Sequence, residues 1–341
     1  MLTSVFTSLA GELKGWVGKA FVMAVWLPVL VFACAGLAVY LAGAGALASA
    51  PAEWARRGAD DKAIFLAVFV GAVTLAAFVL DFAQVPLVRL FEGYWAELPL
   101  LRQVGRWRQR RYKRDLARMD KRLEQLSERL PAAEGKPDSV WLMSEFNVLA
   151  WRRLLAFPPP GYESHLMPTR LGNLYKAAEL YPYDRYRIDS VTVWPRLRER
   201  LPDKFVERLQ EVKTGVDFLL LFSFLSALFS LLSVPYLLWQ RAPASLVLAC
   251  AAGLPLAWLC YRAALSPAQA YAELLKTAFD LHRHELLKAL GLRVPETLAK
   301  EQSLWLDISN FIYRGIPPSE DWRFEPQSVK KDEPAQAQTK Q

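Results

Sequence analysis

Four stretches of this chain are apolar for long enough to cross a bilayer, and the stretches between them are dense in charge. Residues 21–48 carry no charged side chain. A helix needs roughly 20 apolar residues to span the hydrocarbon core, so the pattern predicts a first span over 21–48, kinked near its start by Pro28. Ala48-Ser49-Ala50 also has the small-residue form of a signal-peptidase site. The apolar run outlasts the roughly 7–15 residues of a signal-peptide core, which favours a retained helix over a cleaved one. Residues 51–62 read as a short polar turn. Residues 63–88 predict a second span, with Ala67, Gly71, Ala72 and Ala76 at the spacing that lets helices approach closely in lipid. The third and fourth spans are expected at 216–239 and 244–262, joined so tightly by 240–243 that they must run antiparallel.

The polar stretches are patterned as helices too. Gly93 and Pro99 interrupt whatever leaves the second span. Tyr112, Leu116, Met119, Leu123, Leu126 and Leu130 alternate at three and four residues, as one face of an amphipathic helix does. Too short for a free-standing coiled coil, this stripe is expected to pack on its own domain, with dimerisation as the alternative. Residues 131–139 read as a linker and 141–155 as a helix closed by the prolines of 157–161. In 168–197, Thr169 can cap a helix with Leu171, Leu174 and Ala178 on its inner face. Pro182 is expected to end it. Asp189 can cap a second helix, although Val191, Thr192 and Val193 also suit a strand. Pro202 opens a further helix whose stripe of Phe205, Leu209, Val212, Val216 and Leu219 runs directly into the third span, with Gly215 a weak point. The tail, 266–325, reads as two helices near 267–290 and 295–314, and 326–341 as disordered. The fold class expected is therefore all-α integral membrane. It has four transmembrane helices, a short N-terminal segment 1–20, and a mostly helical cytoplasmic domain over 89–215, inserted between the second and third spans and completed by the tail.

Charge orients this arrangement. The chain carries a formal net charge of +8. Residues 89–213 hold 25 basic and 17 acidic side chains and so account for all of it. The outer loops, 51–62 and 240–243, carry almost none. The positive-inside rule then puts both termini and the polar section in the cytoplasm. Cys34, Cys250 and Cys260 lie in apolar runs without metal-ligand spacing and read as packing residues.

Three blocks carry a resemblance: QVPLVRLFEGYW at 84–95, PTRLGN with YPYDRY and WPRL at 168–197, and AFDLHRHELLKALGL with the KEQSLWLDISNFIYRG run at 278–315. In these the chain resembles a family of uncharacterised bacterial multi-pass membrane proteins. The resemblance implies a bacterial cytoplasmic (inner) membrane and a polar domain joined to it. It implies no substrate and no catalytic residue.

Candidate chemistry is sparse. Arg170, Arg185 and Arg196 can grip a phosphate or carboxylate while Tyr186 or Trp194 stacks on a base. Glu179, Asp184 and Asp189 are at hand as internal partners, and packing among these groups is favoured over an anion site. His282 and His284 are two apart and point to different helix faces, so no metal site is expected; His284 is instead expected to pair with Asp280. Ser223, Ser226, Ser230 and Ser233 mark one face of the third span, for helix packing or, in an oligomer, a pore. Asp81 is an intramembrane acid that can pair with Arg89. Arg106, Arg108, Arg110 and Arg111 suit anionic lipid headgroups. With no catalytic motif, no enzyme activity and no cofactor or metal is expected. A membrane-anchored binding or scaffold protein is the expected function, its cytoplasmic domain engaging a protein partner or anionic ligand. The alternative is an oligomeric channel or membrane effector gated through the 202–239 helix. The partners expected are the anionic bilayer, a protein and a second copy of the chain, in preference to nucleic acid.

Overall fold

The computed structural model of the chain describes residues 18, 21–133, 135, 138–318, 322 and 324. The N-terminal segment, apart from Gly18, and the 326–341 tail lie outside them. Among the described residues every regular element is helical, and one isolated β-bridge joins Leu292 to Phe324. Among the same residues, four helices are long and apolar enough to cross a membrane: Val22–Gly43, Ala59–Phe82, Asp203–Trp239 and Ala244–Ala289. The protein is an all-α membrane protein. It divides into two compact units, Met1–Ala178 with Asp203–Leu274, and Glu179–Pro202 with Leu275–Gln341. The expected 89–215 domain is thus shared between the two.

In the first unit, a π-helical turn at Val22–Trp26 leads into α1, Leu27–Gly43. Pro28 offers no N–H to the preceding turn, and a widened turn relieves the clash of its ring with that turn's carbonyl. The helix stops at Gly43 rather than 48, with Gly45 at φ +72° just beyond. The expected 51–62 turn contains a helix, α2, Ala50–Arg56. Helix α3, Ala59–Phe82, begins on Asp60 and Asp61, whose charges favour a helix N-terminus. The expected 63–88 span is broken at Ala83, after which α4, Gln84–Glu92, ends on Gly93 at φ +101°. Val25 and Val29, Val73 and Ala77, and Leu221 and Leu225 form a core shared by the π-helical turn with α1, α3 and α9, Asp203–Trp239. Helix α9 is one uninterrupted element through Gly215, as its stripe predicts.

Next come α5, Arg102–Ala132, and α6, Asp138–Ala156, which pack as a pair. The expected stripe is spent there: Leu116 clusters with Phe157 and Leu166, and Tyr112 and Met119 flank them. Bonds from Arg122 to Glu145 (2.7 Å) and from Arg153 to Asp120 (2.8 Å) tie the helices together. Helix α7, Arg170–Tyr186, starts as expected, with Gly172 N–H donating to Thr169 Oγ1 at 3.0 Å. It does not end at Pro182. The last turn continues to Tyr186, where Arg187 takes a left-handed φ of +60°. There Arg187 N–H donates to the Tyr183 carbonyl at 3.0 Å, the bond of a helix-ending αL motif. Asp189 then caps α8, Ser190–Arg198, by accepting from Thr192 N–H at 3.1 Å, so the β-branched run is helical.

After α9 and a turn at Arg241, α10, Ala244–Ala251, yields at Ala252 to α11, Gly253–Ala289. The separate helices expected at 244–262 and 267–290 are here one helix through Pro267. An internal proline costs about 3 kcal/mol. It is offset by burial of Ala264, Ala268 and Ala272 against Leu171, Leu174, Val216 and Leu220. The last helix, α12, Leu298–Arg314, is capped by Thr297 and ends on Gly315 at φ +66°.

Candidate functional site

The α5–α6 pair presents two different faces. On α5, Arg106, Gln109, Arg110 and Lys113 recur at i, i+3, i+4 and i+7 and so share one side of the helix. The turn at 161–166 closes over them. Gln109 Nε2 donates to the Leu166 carbonyl at 2.9 Å and Arg108 Nε to the Pro168 carbonyl at 2.9 Å. Between helix and turn lies an open cavity of about 230 Å³, lined by those four residues with Glu163, Ser164 and Leu166. The Gly161 amide donates to Glu163 Oε1 at 3.0 Å. That bond and the Glu163 amide hold its carboxyl below the usual range, with Arg153 and Lys113 adding to the effect. Three cations therefore face one ionised carboxylate. Behind the turn, Arg153 is buried and leaves Nη2 without a hydrogen-bond partner. Of the four arginines expected at headgroups, Arg106 and Arg110 line this cavity. Arg108 and Arg111 sit about 140–200° around the helix from Arg106.

The outward face of α6 is apolar. Val140 is 77% exposed, Trp141 63%, Val148 67% and Trp151 59%, with Met143 and Leu154 beside them. At 100° per residue these positions span about 160° of the helix. Only Ser144 and Asn147 are exposed polar residues among them. The charged Glu145 and Arg153 are turned to α5 instead. Nothing in the sequence marks this face as outward, because apolar residues occur all round the helix.

In the second unit the expected anion-binding groups are each occupied separately. The Arg283 guanidinium lies 4.1 Å from the Tyr186 ring centroid, and the Tyr186 hydroxyl donates to Asp280 at 2.8 Å. Trp194 leans on Phe279 at 6.0 Å. Arg196 donates to the Thr192 carbonyl of its own helix at 2.9 Å, and Arg185 sits over the Tyr181 ring beside Asp184. Arg170 belongs to the first unit and is exposed. The centre of the second unit is Glu301, 5% exposed. It accepts from Arg283 Nε at 2.7 Å, His284 Nε2 at 2.9 Å and Trp305 Nε1 at 3.3 Å. His284 therefore pairs with Glu301 and not with Asp280, which is taken by Tyr181 and Tyr186. Burial pushes the Glu301 carboxyl up, but Arg283 and His284 outweigh it and hold it below the usual range. Burial, then the bond to Asp280, pushes the Tyr186 hydroxyl far up. Among the described residues no group of three or more His, Cys, Asp or Glu side chains is placed to hold a metal ion.

Within the spans, all four serines of α9 are buried. Ser223 Oγ donates to the Ala257 carbonyl at 2.7 Å and Ser230 Oγ to the Cys250 carbonyl at 2.6 Å. Ser226 bonds its own helix at the Phe222 carbonyl. A side chain on Gly253 would run into Ser230 Oγ and the Ser226 carbonyl. Asp81 accepts from Gln84 at 2.9 Å, while Arg89 lies over Tyr94, so the expected Asp81–Arg89 pair is not made. Sequence reasoning missed a second acid at the edge of a span: Asp217, 8% exposed and paired with Lys213 at 2.5 Å. The i, i+4 spacing of the two was its available signal.

Fold and site together define an all-α membrane protein with four candidate spans among the described residues, whose polar section presents an apolar helix face and a cation-lined cavity. No family model, curated protein or solved structure matches the chain.

Proposed function

We propose that the protein is a membrane-anchored binding or scaffold protein of the bacterial inner membrane. Its termini and polar section would be cytoplasmic, and it would stand among the uncharacterised multi-pass proteins it resembles. The observation that carries the proposal is the outward face of α6: two tryptophans, two valines, Met143 and Leu154, with no charged residue. Exposed apolar patches of this kind mark interaction sites. Aromatic residues and Met are enriched, and charge depleted, at the centres of protein interfaces. Helices that lie on lipid carry Lys and Arg along a polar face. Here α6 keeps only Asp138 and Arg152 clear of α5, with opposite signs, so a protein is the occupant that fits. A pore along the α9 serines would have to break the bonds to Ala257 and Cys250, which a scaffold leaves intact.

The test is a photo-crosslinking residue at Val148 in the full chain, irradiated in native membranes. A discrete protein adduct, lost with Trp151→Ser while expression and folding hold, is expected. Adducts with lipid alone, or none, would overturn the docking role. A reporter at residue 160 is expected on the cytoplasmic side; a periplasmic signal would overturn the orientation.

A further inference from the structure

The cavity between α5 and the 161–166 turn has no part in that docking face, and its chemistry is of another kind. We propose that it is a binding site for a phosphate ester, held by Arg106, Arg110 and Lys113 with the Ser164 hydroxyl. Four observations meet there. The three cations share one face of α5 with Gln109 between them, and none makes a hydrogen bond or an ion pair among the described residues. Surface arginines are commonly solvated, but these line a concavity of about 230 Å³. That is below the roughly 300–1,000 Å³ of pockets that enclose drug-sized ligands, and it suits a headgroup-sized anion. The turn is held in place from within: Gln109 bonds its Leu166 carbonyl, Gly161 bonds Glu163, and Leu166 is buried on Leu116 and Phe157. Finally, the one carboxylate in the cavity is anchored to its own turn by two backbone amides.

Glu163 therefore cannot neutralise all three cations, and the cavity keeps a net positive charge of about two. Guanidinium groups meet phosphate oxygens bidentately, a lysine adds a point charge, and the Ser164 hydroxyl, which bonds His165 Nδ1 at 3.2 Å, can turn to donate to a third oxygen. Gln109 holds the turn and does not bind the ligand. Arg108 spends its Nε on the Pro168 carbonyl and Arg111 lies on another side of α5, so both are outside the site. The same chemistry serves a phospholipid headgroup or a soluble phosphate ester.

Two arms separate these sources, both with the full chain. In one, the protein is placed in nanodiscs of phosphatidylcholine with and without phosphatidylglycerol, and retained lipid is counted by native mass spectrometry. In the other, glycerol phosphate is titrated into protein in neutral detergent and binding is read by calorimetry. Saturable binding is expected in at least one arm, and the arm that responds names the source. Arg110→Gln with Lys113→Gln is expected to weaken it about thirtyfold, each cation near phosphate contributing about fivefold. Arg111→Gln with Arg118→Gln removes the same charge from exposed positions of α5 outside the cavity and is expected to change binding less than about twofold. Lys113→Arg is expected to retain it. Circular dichroism and gel filtration of each variant establish that it folds. If both double variants fail equally, binding is diffuse surface electrostatics and the site is refuted. Absence of saturable binding in both arms refutes it as well. Should the cavity variant not fold, Ser164→Ala decides: a loss of several-fold sustains the site and no loss refutes it.

Discussion

Replacing Gly253 by leucine tests whether the serine face of α9 is glue or conduit. Gly253 meets that face where even a Cβ would strike Ser230 Oγ and the Ser226 carbonyl. The second of these is backbone and cannot swing away. Overpacking a close contact costs about 1–3 kcal/mol. Pushing the helices apart also sacrifices the bonds from Ser230 to Cys250 and from Ser223 to Ala257, at about 0.6 kcal/mol each in a membrane. Leucine recovers about 1 kcal/mol as a better helix former than glycine. The net cost is about 1–3 kcal/mol. By contrast Ser223→Ala and Ser230→Ala should each cost only about 0.6 kcal/mol. The assay is unfolding of the full chain by SDS in mixed micelles. It is paired with the reactivity of Ser226→Cys, in a chain lacking its native cysteines, toward an impermeant thiol reagent. The expected results are a lowered midpoint for Gly253→Leu and a protected cysteine. An unmoved midpoint together with rapid labelling from water would refute the packing and restore the conduit.

Other outcomes follow from the same structure. Glu301→Gln strips the anion from Arg283 and His284 and should cost about 2–4 kcal/mol, toward the lower end for breaking a buried pair because His284 is part-exposed; thermal unfolding of the full chain measures it. Glu301 is held below the usual carboxylate range, so its contribution is complete above the unfolded value of about 4.3 and is lost as pH falls through the lower folded one. The unfolding midpoint should therefore drop on acidification below pH ~4 more steeply in the native protein than in Glu301→Gln, and parallel curves would remove Glu301 from the account. Gly172→Ala drives a methyl into the Glu92 carbonyl and the Met167 side chain. It should destabilise by about 0–2 kcal/mol, overpacking outweighing the gain in helix propensity, and a raised midpoint would refute the close approach.

What was legible in the sequence was local or periodic. Thr169 and Asp189 cap the helices predicted for them, because a cap needs only a hydroxyl or carboxylate and an amide two or three residues on. The stripe from Phe205 to Leu219 carries one helix into a span because nothing in its spacing changes. Pro182, taken as a stop, and Pro267, taken as the start of a separate helix, both lie inside helices. The rule that misplaced them is local, whereas the burial that overrides it comes from partners elsewhere in the sequence. At Pro267 these include Leu171 and Leu220. The partner of His284 was misjudged for the same reason: Asp280 is one turn away along the chain, but Glu301 arrives from another helix. The α6 face was hidden because a helix apolar on all sides does not say which side is covered. The basic residues of α5 were visible as a cluster, yet a helix alone cannot show that a turn fifty residues on closes over Arg106, Arg110 and Lys113.

At the start of α7, Thr169 Oγ1 donates to the Glu92 carbonyl at 2.7 Å across 77 residues. Beside it, Gly93 leaves no room between its backbone and the Pro168 ring. Asn173 locks the segment leading in, bonding Met167 on both its amide and its carbonyl. The chain thus departs and returns at a single clasp, and residues 94–167 form a closed excursion. Such an excursion transmits little tension to its ends, and the entropy of closing it grows only slowly with its length. The whole α5–α6 hairpin, docking face and cation cavity included, is therefore a cassette. Exchanging it for a short glycine linker is expected to leave the packing of the membrane helices in place, as an unchanged unfolding midpoint of the remaining chain would show.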